Sequence, residues 1–244
     1  MIKADIIIPI FNEGEAIKNV LNHIKENLLS PHRILICYDS DNDPTLNFID
    51  FNQHPNILLV KNPLIGPCEA IKEGFNQAEA DYVIVFPADD LINGNILDKM
   101  IQVAENGFEI VVASRFMKGG SMEGCPFIKS ILVRTASATL YLLSSIPVRD
   151  ASNGFRLFSK NCLEQINIES TTGFTYSIEL LVKATRIGLN IAEVPAQWLE
   201  RDQGESNFKI KSWIFDYLRW YFYGLATSWL RKKPSKNCIK TYNT

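Results

Sequence analysis

The stretch DIIIPI at residues 5–10 is the first of five short strand-like runs that decide the fold. The other four are RILICY (33–38), NILLV (56–60), DYVIVF (81–86) and EIVVAS (109–114). Amphipathic stretches at 13–29, 67–79 and 94–106 lie between most of them. Strands that are apolar on both faces and alternate with helices are typical of a parallel sheet covered on both sides. The pattern therefore predicts an α/β fold with a mostly parallel central sheet flanked by helices.

The second half of the chain continues without a linker-like change in composition. It contains an apolar, small-residue segment (126–146), a Gly-rich turn with a short strand (150–158), a helix (175–188) and a strand (190–195). From residue 209 an aromatic-rich helical pattern leads into a basic tail. We expect one domain over residues 1–209, followed by an amphipathic C-terminal helix and tail over residues 210–244.

Charge is unevenly divided along the 244 residues, of which 46% are hydrophobic. Residues 201–244 carry nine Lys or Arg and three Asp or Glu, whereas residues 1–200 carry 16 and 24. An acidic body argues against nucleic-acid binding, which needs a broad cationic surface. The basic end suits a phosphate-bearing ligand or an anionic membrane surface.

The five cysteines are scattered without a C-x-x-C pair, and the three histidines lack the spacing of metal ligands. Neither a disulfide framework nor a zinc site is indicated, and a reducing compartment fits best. Residues 5–10 already form a strand with no leader-like segment before them, and the apolar runs fall short of the roughly 20 residues of a spanning helix. We expect a cytoplasmic protein.

Acidic side chains follow the second and fourth runs, where parallel strands deliver them to one edge of the sheet. In PADDLIN (87–93), Asp89 and Asp90 offer oxygen ligands suited to Mg²⁺ or Mn²⁺, or alternatively cap a helix. In YDSDNDPT (38–45), the three aspartates can accept hydrogen bonds from a base or ribose. The alternative is an Asx turn that leads into a helix capped at Asp43.

Basic side chains supply the opposite charge. They are Arg115, Arg134, Arg156, Arg201, Lys209 and Lys211. Guanidinium groups match phosphate oxygens well, so carboxylates on one wall and arginines on another describe a site for a pyrophosphate-containing substrate. The chain has no G-x-G-x-x-G after its first strand and no P-loop motif, so a Rossmann dinucleotide site and a P-loop are unsupported.

Six motifs occur in the order found in one enzyme family: PIFNEGE (9–15), YDSDNDPT (38–45), VFPADD (85–90), SRFMKGG (114–120), DASNGFRLFS (150–159) and EVPAQWLERDQGESNFK (193–209). On these motifs the chain resembles the family 2 glycosyltransferases, and among them the dolichyl- or polyprenyl-phosphate mannosyl and glucosyl transferases. The resemblance implies a GT-A fold and catalytic domain over residues 1–209, a nucleotide-sugar donor, a divalent metal, and inversion at the anomeric carbon.

The resemblance also implies roles for individual residues. Donor-binding positions would be Pro9, Phe11, Glu13, Asp39, Ala88 and Asp89. Glu13 would lie towards the ribose and Asp39 towards the base, while Asp89 would hold Mg²⁺ or Mn²⁺ with Asp90 as a second ligand. Phosphate-binding positions would be Arg115, Arg134, Arg201, Ser206 and Lys209. Of these residues, Asp89, Arg201 and Lys209 would be catalytic.

Three positions depart from the pattern of the family. Pro87-Ala88-Asp89 stands where Asp-x-Asp is usual, so one expected carboxylate is missing. Two alternatives follow: metal affinity lower than usual, or a metal held mainly by the donor phosphates. Tyr38-Asp39 replaces a pair of aspartates, which bears on nucleobase preference. Asn207 follows Ser206 where a Lys is common, and Lys209 would take over that charge.

The expected reaction moves a hexose from a GDP-mannose or UDP-glucose type of donor to a polyprenyl or dolichyl phosphate. A metal at Asp89, together with Arg201 and Lys209, would neutralise the leaving diphosphate. A lipid phosphate is already anionic and needs no strong general base, and none is evident. Two alternatives stay open: transfer to a saccharide hydroxyl in cell-envelope polysaccharide synthesis, and a non-catalytic nucleotide-sugar-binding module.

Aromatic residues crowd segment 213–229, and Arg231, Lys232 and Lys233 follow it. Amphipathic aromatics beside basic residues suit a lipid headgroup interface. We therefore expect peripheral association with the cytoplasmic face of a membrane through residues 210–240. The alternative is a helix that packs on the catalytic domain or on a partner, which would be a membrane subunit or a second copy of the chain.

Overall fold

The fold is taken from a computed structural model that describes residues 2–199 and 210–229. The strands are β1 Ala4–Pro9, β2 His32–Tyr38, β3 Ile57–Lys61, β4 Tyr82–Val85, β5 Ile110–Ser114, β6 Ser121–Glu123, β7 Arg156–Ser159, β8 Ile191–Pro195 and β9 Gln197–Leu199. The α-helices are α1 Ile17–Asn27, α2 Pro67–Gln77, α3 Leu97–Glu105, α4 Phe127–Leu143, α5 Lys160–Gln165, α6 Thr175–Ile187 and α7 Ile210–Trp229. Short 3₁₀ helices span Gly14–Ala16, Pro44–Phe48 and Asn93–Ile96.

Seven strands form the central sheet in the order β3-β2-β1-β4-β7-β5-β8. All of them are parallel except β7, which is antiparallel to both of its neighbours. A second small sheet pairs β6 with β9. The α/β fold with a mostly parallel central sheet, flanked by helices and followed by a C-terminal helix, is confirmed.

The direction of β7 determines which loops meet. The parallel strands β1, β2, β4 and β5 end at one edge of the sheet, and the reversed strand β7 begins there, with Arg156 opposite Val85 and Val112. The loop at 150–155, which precedes β7, therefore opens beside the loops that follow the parallel strands. We call this side the carboxyl edge.

Both faces of the sheet are buried, as its apolar runs predict. On β1, Ile6 and Ile8 pack with α1 and α3, whereas Ile7 faces the opposite side with α2, α6 and α7. Alternate residues of a strand point to opposite faces, so a run without polar residues requires cover on both.

At the opposite edge, the fully buried Asp5 side chain accepts hydrogen bonds from Arg33 at 2.8 and 2.9 Å and from the backbone N–H groups of Glu79 and Ala80. Burial acts to raise the pKa of Asp5, but these hydrogen bonds and the Arg33 charge outweigh it and lower the pKa. This ion pair fixes the amino ends of β1 and β2 far from the carboxyl edge.

Helix α7 packs on α6 and α4 through one face. Trp220 is 2% exposed, and its ring centroid lies 4.8 Å from the Lys183 ammonium and 4.7 Å from the Arg219 guanidinium. Gly224 permits close approach, since a Cβ there would lie 3.2 Å from Val182. The alternative expectation, a helix that packs on the preceding domain, is confirmed for the face of α7 that contacts α6 and α4.

Candidate active site

Strand β1 ends at Pro9, and the loop after it carries Phe11 and Glu13. The 3₁₀ helix Pro44–Phe48 holds this loop in place. The Thr45 hydroxyl accepts hydrogen bonds from the backbone N–H groups of Glu13 at 2.9 Å and Gly14 at 3.1 Å. Asn12 donates its N–H to Asp43 and has a φ of 58°, an uncommon backbone conformation for a residue other than glycine. Phe11 is left exposed at the carboxyl edge.

The loop after β2 uses its aspartates for three different purposes. Asp39 accepts hydrogen bonds from the Asn62 side chain at 2.8 Å and the Gly66 N–H at 2.9 Å, which ties it to the loop after β3. Asp41 pairs with Lys61. Asp43 caps the 3₁₀ helix Pro44–Phe48 through the Thr45 N–H, so the capping alternative is confirmed for Asp43.

The loop after β4 places Ala88 inside and Asp89 at the surface of the carboxyl edge. The Asp90 carboxylate accepts hydrogen bonds from the backbone N–H groups of Ile92 at 2.9 Å and Asn93 at 2.8 Å, and from the Asn93 side chain at 2.6 Å. Asp90 therefore closes a turn before the 3₁₀ helix Asn93–Ile96, whose N-cap is Ile92 and has no side-chain cap, so Asp90 is not the helix cap of the capping alternative. Its role as a second metal ligand stays a prediction.

The carboxyl edge suits a metal ion that is shared with a substrate. Within the described ranges, no group of three or more His, Cys, Asp or Glu side chains is placed to hold an ion. Mg²⁺ and similar ions are commonly held by one or two carboxylates together with substrate phosphates. Asp89 stays the predicted metal ligand at this edge, and Asp90, whose carboxylate closes its own turn, stays the predicted second one.

Arg115 follows β5 and is held by Asp150 from the loop before β7. Its Nε and Nη2 donate to the Asp150 carboxylate at 2.7 and 3.0 Å, and Nη2 also donates to the Ser152 hydroxyl. Burial acts to raise the pKa of Asp150, but the Arg115 charge and the surrounding hydrogen bonds lower it overall. Arg115 is thus a fixed cation at the carboxyl edge rather than a mobile surface side chain.

Arg134, on α4, comes together with Arg115 around one aromatic ring. The two guanidinium carbons lie 4.8 and 5.1 Å from the centroid of the Phe116 ring. Next to Arg134 is a cleft of about 280 Å³, which is also lined by Tyr141, Leu142 and Arg149. The structure therefore groups two of the three arginines that the resemblance assigns to phosphate binding, Arg115 and Arg134.

Arg156 differs from these arginines because it is fully buried. It donates hydrogen bonds to the backbone carbonyls of Ala151, Asn153 and Ser177, and burial lowers its pKa to about 10. As a result Arg156 stabilises the 150–155 loop through its backbone carbonyls, and its buried charge does not contact a ligand.

Five residues that contribute to the candidate site were not identified as site residues from the sequence. They are Thr45, Asn93, Arg149, Asp150 and Ser152. Asp150 lies in a quoted motif, DASNGF, yet its partner is 35 residues away and is brought close only by the reversal of β7. Three residues with expected phosphate roles, Arg201, Ser206 and Lys209, lie outside the described residues.

Residues 5–166, more than half of the chain, match the family described as Glycosyl transferase family 2. The chain belongs to this family. The expected family and the expectation of a glycosyltransferase are both confirmed. The region that matches includes β1 to β5 and the Arg115–Asp150 pair.

Two relatives of this family 2 glycosyltransferase are named for lipid-linked sugars. The dolichol-phosphate mannosyltransferase of Pyrococcus furiosus is 28% identical over 222 residues, which are 89% of this chain and 62% of that protein. The polyprenol monophosphomannose synthase of Mycolicibacterium smegmatis is 23% identical over 227 residues, covering 85% of each chain. The present chain thus spans less than two thirds of the Pyrococcus protein.

Solved structures of glucosyl-3-phosphoglycerate synthase from Mycobacterium tuberculosis share the fold. The complex of that enzyme with phosphoglyceric acid has a TM-score of 0.71 at 16% identity and covers 92% of this chain and 80% of that one. The complex with Mn²⁺, UDP-glucose and phosphoglyceric acid has a TM-score of 0.70 at 14% identity, with the same coverage. At these identities the likeness shows the fold of this family 2 glycosyltransferase and no more.

Proposed function

We propose that this glycosyltransferase transfers a hexose from a nucleoside diphosphate sugar to a polyprenyl or dolichyl phosphate, with inversion at the anomeric carbon. The observation that carries the proposal is the division of the carboxyl edge. Phe11, Glu13, Asp39 and Asp89 lie in the loops after β1, β2 and β4, while Arg115 and Arg134 meet at Phe116 on the other side. The acidic half would hold the nucleoside and the metal of the donor, and the cationic half would hold the acceptor phosphate. The sugar would pass from the first half to the second.

On the donor half, the backbone around Phe11 and Glu13 is fixed by Thr45, and the exposed Phe11 ring and the Glu13 side chain are assigned to the nucleoside. Asp39 lies at the end of the adjacent strand, towards the base. Asp89 is the protein ligand for Mg²⁺ or Mn²⁺, which neutralises charge on the departing diphosphate when it is bound. Residues Arg201 and Lys209 are assigned to the same phosphates.

On the acceptor half, the lipid phosphate is the nucleophile. One of its oxygens forms a bond to the anomeric carbon as the bond from that carbon to the diphosphate breaks, and the opposite face of the sugar is attacked. The phosphate is anionic near neutral pH, so no side chain has to remove a proton. Arg134 and the fixed Arg115 orient the phosphate, and apolar side chains of the neighbouring cleft, such as Leu142, suit the start of a polyprenyl chain.

Exposed apolar side chains on α4 and α7 support a membrane-surface location. On α4 they include Phe127, Ile128, Leu132 and Leu142, and on α7 Phe215, Phe222 and Trp229. The two helices are joined by a hydrogen bond between the Thr139 and Tyr221 hydroxyls at 2.7 Å and by one from the Trp229 Nε1 to the Leu143 carbonyl at 2.9 Å. We call these seven side chains the outer apolar face. In the described part of the chain, no helix has the length and apolar character needed to cross a bilayer.

The cytoplasmic side of the membrane is the side we propose. Cys37, Cys68 and Cys162 are buried thiols that form no disulfide. Burial raises the pKa of Cys37 and of Cys68 to about 12, so these thiols stay protonated and act as small core residues. Such thiols suit a reducing compartment.

The deciding experiment is transfer to a short polyprenyl phosphate, with GDP-mannose and UDP-glucose as donors and Mg²⁺ or Mn²⁺ present. We expect a lipid-linked hexose of inverted configuration from at least one donor, and loss of metal-dependent transfer in Asp89→Ala. Product formation only with a saccharide acceptor would overturn the lipid acceptor. Nucleotide-sugar binding without turnover for any acceptor would instead favour a binding module.

Membrane association is tested by co-sedimentation with vesicles of phosphatidylcholine, with and without phosphatidylglycerol. We expect the double variant Leu132→Gln/Phe222→Gln to lose most vesicle binding, because it removes one apolar side chain from each helix of the outer apolar face. Leu29→Gln is the matched control, since Leu29 is 86% exposed and lies outside both helices. Equal binding of both variants would exclude the outer apolar face as the attachment surface.

A further inference from the structure

Arg149 adds a third guanidinium group to the acceptor half. It lies in the segment between α4 and β7 and lines the cleft of about 280 Å³ next to Arg134. Its guanidinium carbon is 5.2 Å from the centroid of the Tyr141 ring, which lines the same cleft. The cleft therefore presents two arginines, one from α4 and one from the segment that leads to Asp150.

A carboxylate from β8 holds the Arg149 side chain. Nη1 donates to Glu193 Oε1 at 2.8 Å, and the backbone N–H donates to Glu193 Oε2, also at 2.8 Å. The Glu193 side chain is 8% exposed and that of Arg149 is 50% exposed. Within the residues that the structure describes, Nε and Nη2 of Arg149 donate no hydrogen bond. One edge of the guanidinium group is therefore fixed, and the other can donate to a ligand.

The other side chains of the cleft are apolar or aromatic. They are Phe116, Ala138, Tyr141 and Leu142. A ligand that carries a phosphate next to an apolar group matches this combination, because the guanidinium groups pair with its oxygens and the apolar side chains cover the rest. A sugar phosphate matches it less well, since its hydroxyl groups would lose hydrogen bonds to water against the apolar lining.

The charges around the cleft disfavour a ligand with two phosphates. Asp150 offsets the charge of Arg115. Glu193 does the same for Arg149, while Arg134 has no carboxylate partner in the described part of the chain. Two of the three arginines are thus neutralised, and one net positive charge remains. A phosphate monoester carries about −1.5 to −2 at pH 7, and a second phosphate adds roughly one more negative charge, which Asp150 and Glu193 would repel.

We propose that Arg149 determines the specificity of the acceptor half: with Arg134 it binds the phosphate of a prenyl monophosphate, and its pairing with Glu193 disfavours a prenyl diphosphate. This proposal rests on the proposed function, because it takes a polyprenyl or dolichyl phosphate as the acceptor. It deepens that function by naming the side chains that distinguish one phosphate from two. Glu193 is a positioning residue, which acts through the position and the charge of Arg149.

The test measures the affinities of the full chain for geranyl phosphate and geranyl diphosphate by titration calorimetry. Arg149→Met keeps an unbranched side chain but removes its charge, so it should weaken geranyl phosphate binding about tenfold or more. Arg149→Lys keeps the charge and should recover part of the loss. Binding of geranyl phosphate by Arg149→Met within about twofold of wild type would overturn the proposal and leave the proposed acceptor in place.

Selectivity between one and two phosphates is tested by changing the charge of the cleft. Glu193→Gln removes the negative charge that offsets Arg149, and Leu142→Lys adds a positive charge at a side chain that is 73% exposed. Both variants should raise the affinity for geranyl diphosphate relative to geranyl phosphate about fivefold or more. Because Leu142 is exposed, its variant decides the question if Glu193→Gln does not fold. An unchanged ratio of the two affinities would overturn the selectivity by charge.

The matched control is Arg219→Met. The Arg219 side chain is 57% exposed, pairs with Glu169 and lies 4.7 Å from the centroid of the Trp220 ring, so it has the same kinds of partner as Arg149 but belongs to α7. Its variant should leave both affinities unchanged. An equal loss of geranyl phosphate binding in Arg219→Met would show general attraction by positive charge and overturn the proposal.

Hydrogen exchange and a nucleotide titration separate this role from a structural one and from the proposed function. The backbone N–H at position 149 should stay protected in Arg149→Met, because its bond to Glu193 does not involve the arginine side chain. Faster exchange there together with weaker binding would show a merely structural role and overturn the proposal. If wild type binds UDP or GDP but not geranyl phosphate, the proposed acceptor fails, and with it the role of Arg149.

Discussion

Arg115 and Asp150 form a two-point ion pair, with N–O distances of 2.7 and 3.0 Å, across the junction between a parallel and an antiparallel strand. Asp150 also accepts hydrogen bonds from the backbone N–H groups of Arg115, Ser152 and Asn153. One buried carboxylate thus organises the whole 150–155 loop and fixes the direction of the cation assigned to the acceptor phosphate.

Asp150→Asn is expected to reduce both stability and transfer. Removing one partner of a buried ion pair typically costs about 3 kcal/mol or more, and urea unfolding at pH 7 measures the loss. Because folding lowers the pKa of Asp150, its contribution is complete above the ordinary Asp pKa and is lost as the pH falls through the lower folded value. The stability difference between wild type and Asp150→Asn should therefore shrink in acid.

Asp5→Asn serves as the control for this substitution. Asp5 is also buried, pairs with an arginine at two points and has a lowered pKa, but it lies at the opposite edge of the sheet. We expect a comparable loss of stability with unchanged kinetic constants at a temperature where the variant is folded. A parallel loss of acceptor affinity in Asp5→Asn would mean that Asp150 acts through stability alone.

Thr45→Val should loosen the nucleoside half of the site. The fully buried hydroxyl accepts two N–H groups of the loop that follows β1, and valine leaves both unpaired at a cost of about 1–3 kcal/mol. We expect higher KM values for the donor and weaker binding of nucleoside monophosphates in titration calorimetry. Thr45→Ser keeps the acceptor and should recover most of the affinity; failure of serine to do so would assign the effect to packing.

Arg134→Ala should raise the acceptor KM roughly tenfold without changing the donor KM, because it removes a cation that lies over Phe116 on the acceptor half. Initial rates over a series of polyprenyl phosphate concentrations measure this effect. Lys129→Ala is the control on the same helix, since Lys129 lies 5.2 Å from the Trp198 ring instead. An equal rise of the acceptor KM in both variants would indicate that the positive charge of α4 attracts the acceptor without a specific contact at Arg134.

Trp220 lies on the buried face of α7, and Phe222 lies on its exposed face. Trp220→Ala should lower the free energy of unfolding by about 3–5 kcal/mol, since it empties a buried site and breaks the hydrogen bond from Nε1 to Ser170. Phe222→Ala, at a side chain that is 59% exposed, should leave stability within about 0.5 kcal/mol. Denaturant curves of both variants check this, and similar losses would contradict the assignment of faces.

The sheet and its carboxyl edge follow from apolar runs and from turn residues that are local in sequence. Runs such as DIIIPI require burial on both faces, so the order of strands and helices was predictable, as was the cap at Asp43. The direction of β7 was not, because a four-residue strand carries no sign of its orientation. The partners of Arg115 depend on that direction.

The contacts made by each carboxylate could also not be predicted from local sequence patterns. Asp89 and Asp90 are adjacent and identical in type, yet one is exposed and the other is bonded to three donors, including a side chain that is itself held by β9. The Asn93–Gln197 contact spans 104 positions and involves the backbone of its partner. Backbone atoms carry no residue signature, so sequence alone does not reveal such a contact.

The reversal of β7 has an evolutionary consequence. Among the described residues, those up to Asn93 build the half assigned to the donor, and those from Arg115 to Phe155 build the half assigned to the acceptor, whereas Arg201 and Lys209 come later in the chain. Under the proposed function, substitutions or short insertions between β5 and β7 would alter what receives the sugar and leave the nucleotide-side residues up to Asn93 intact. A fold arranged in this way lends itself to new acceptors through recombination of one contiguous segment.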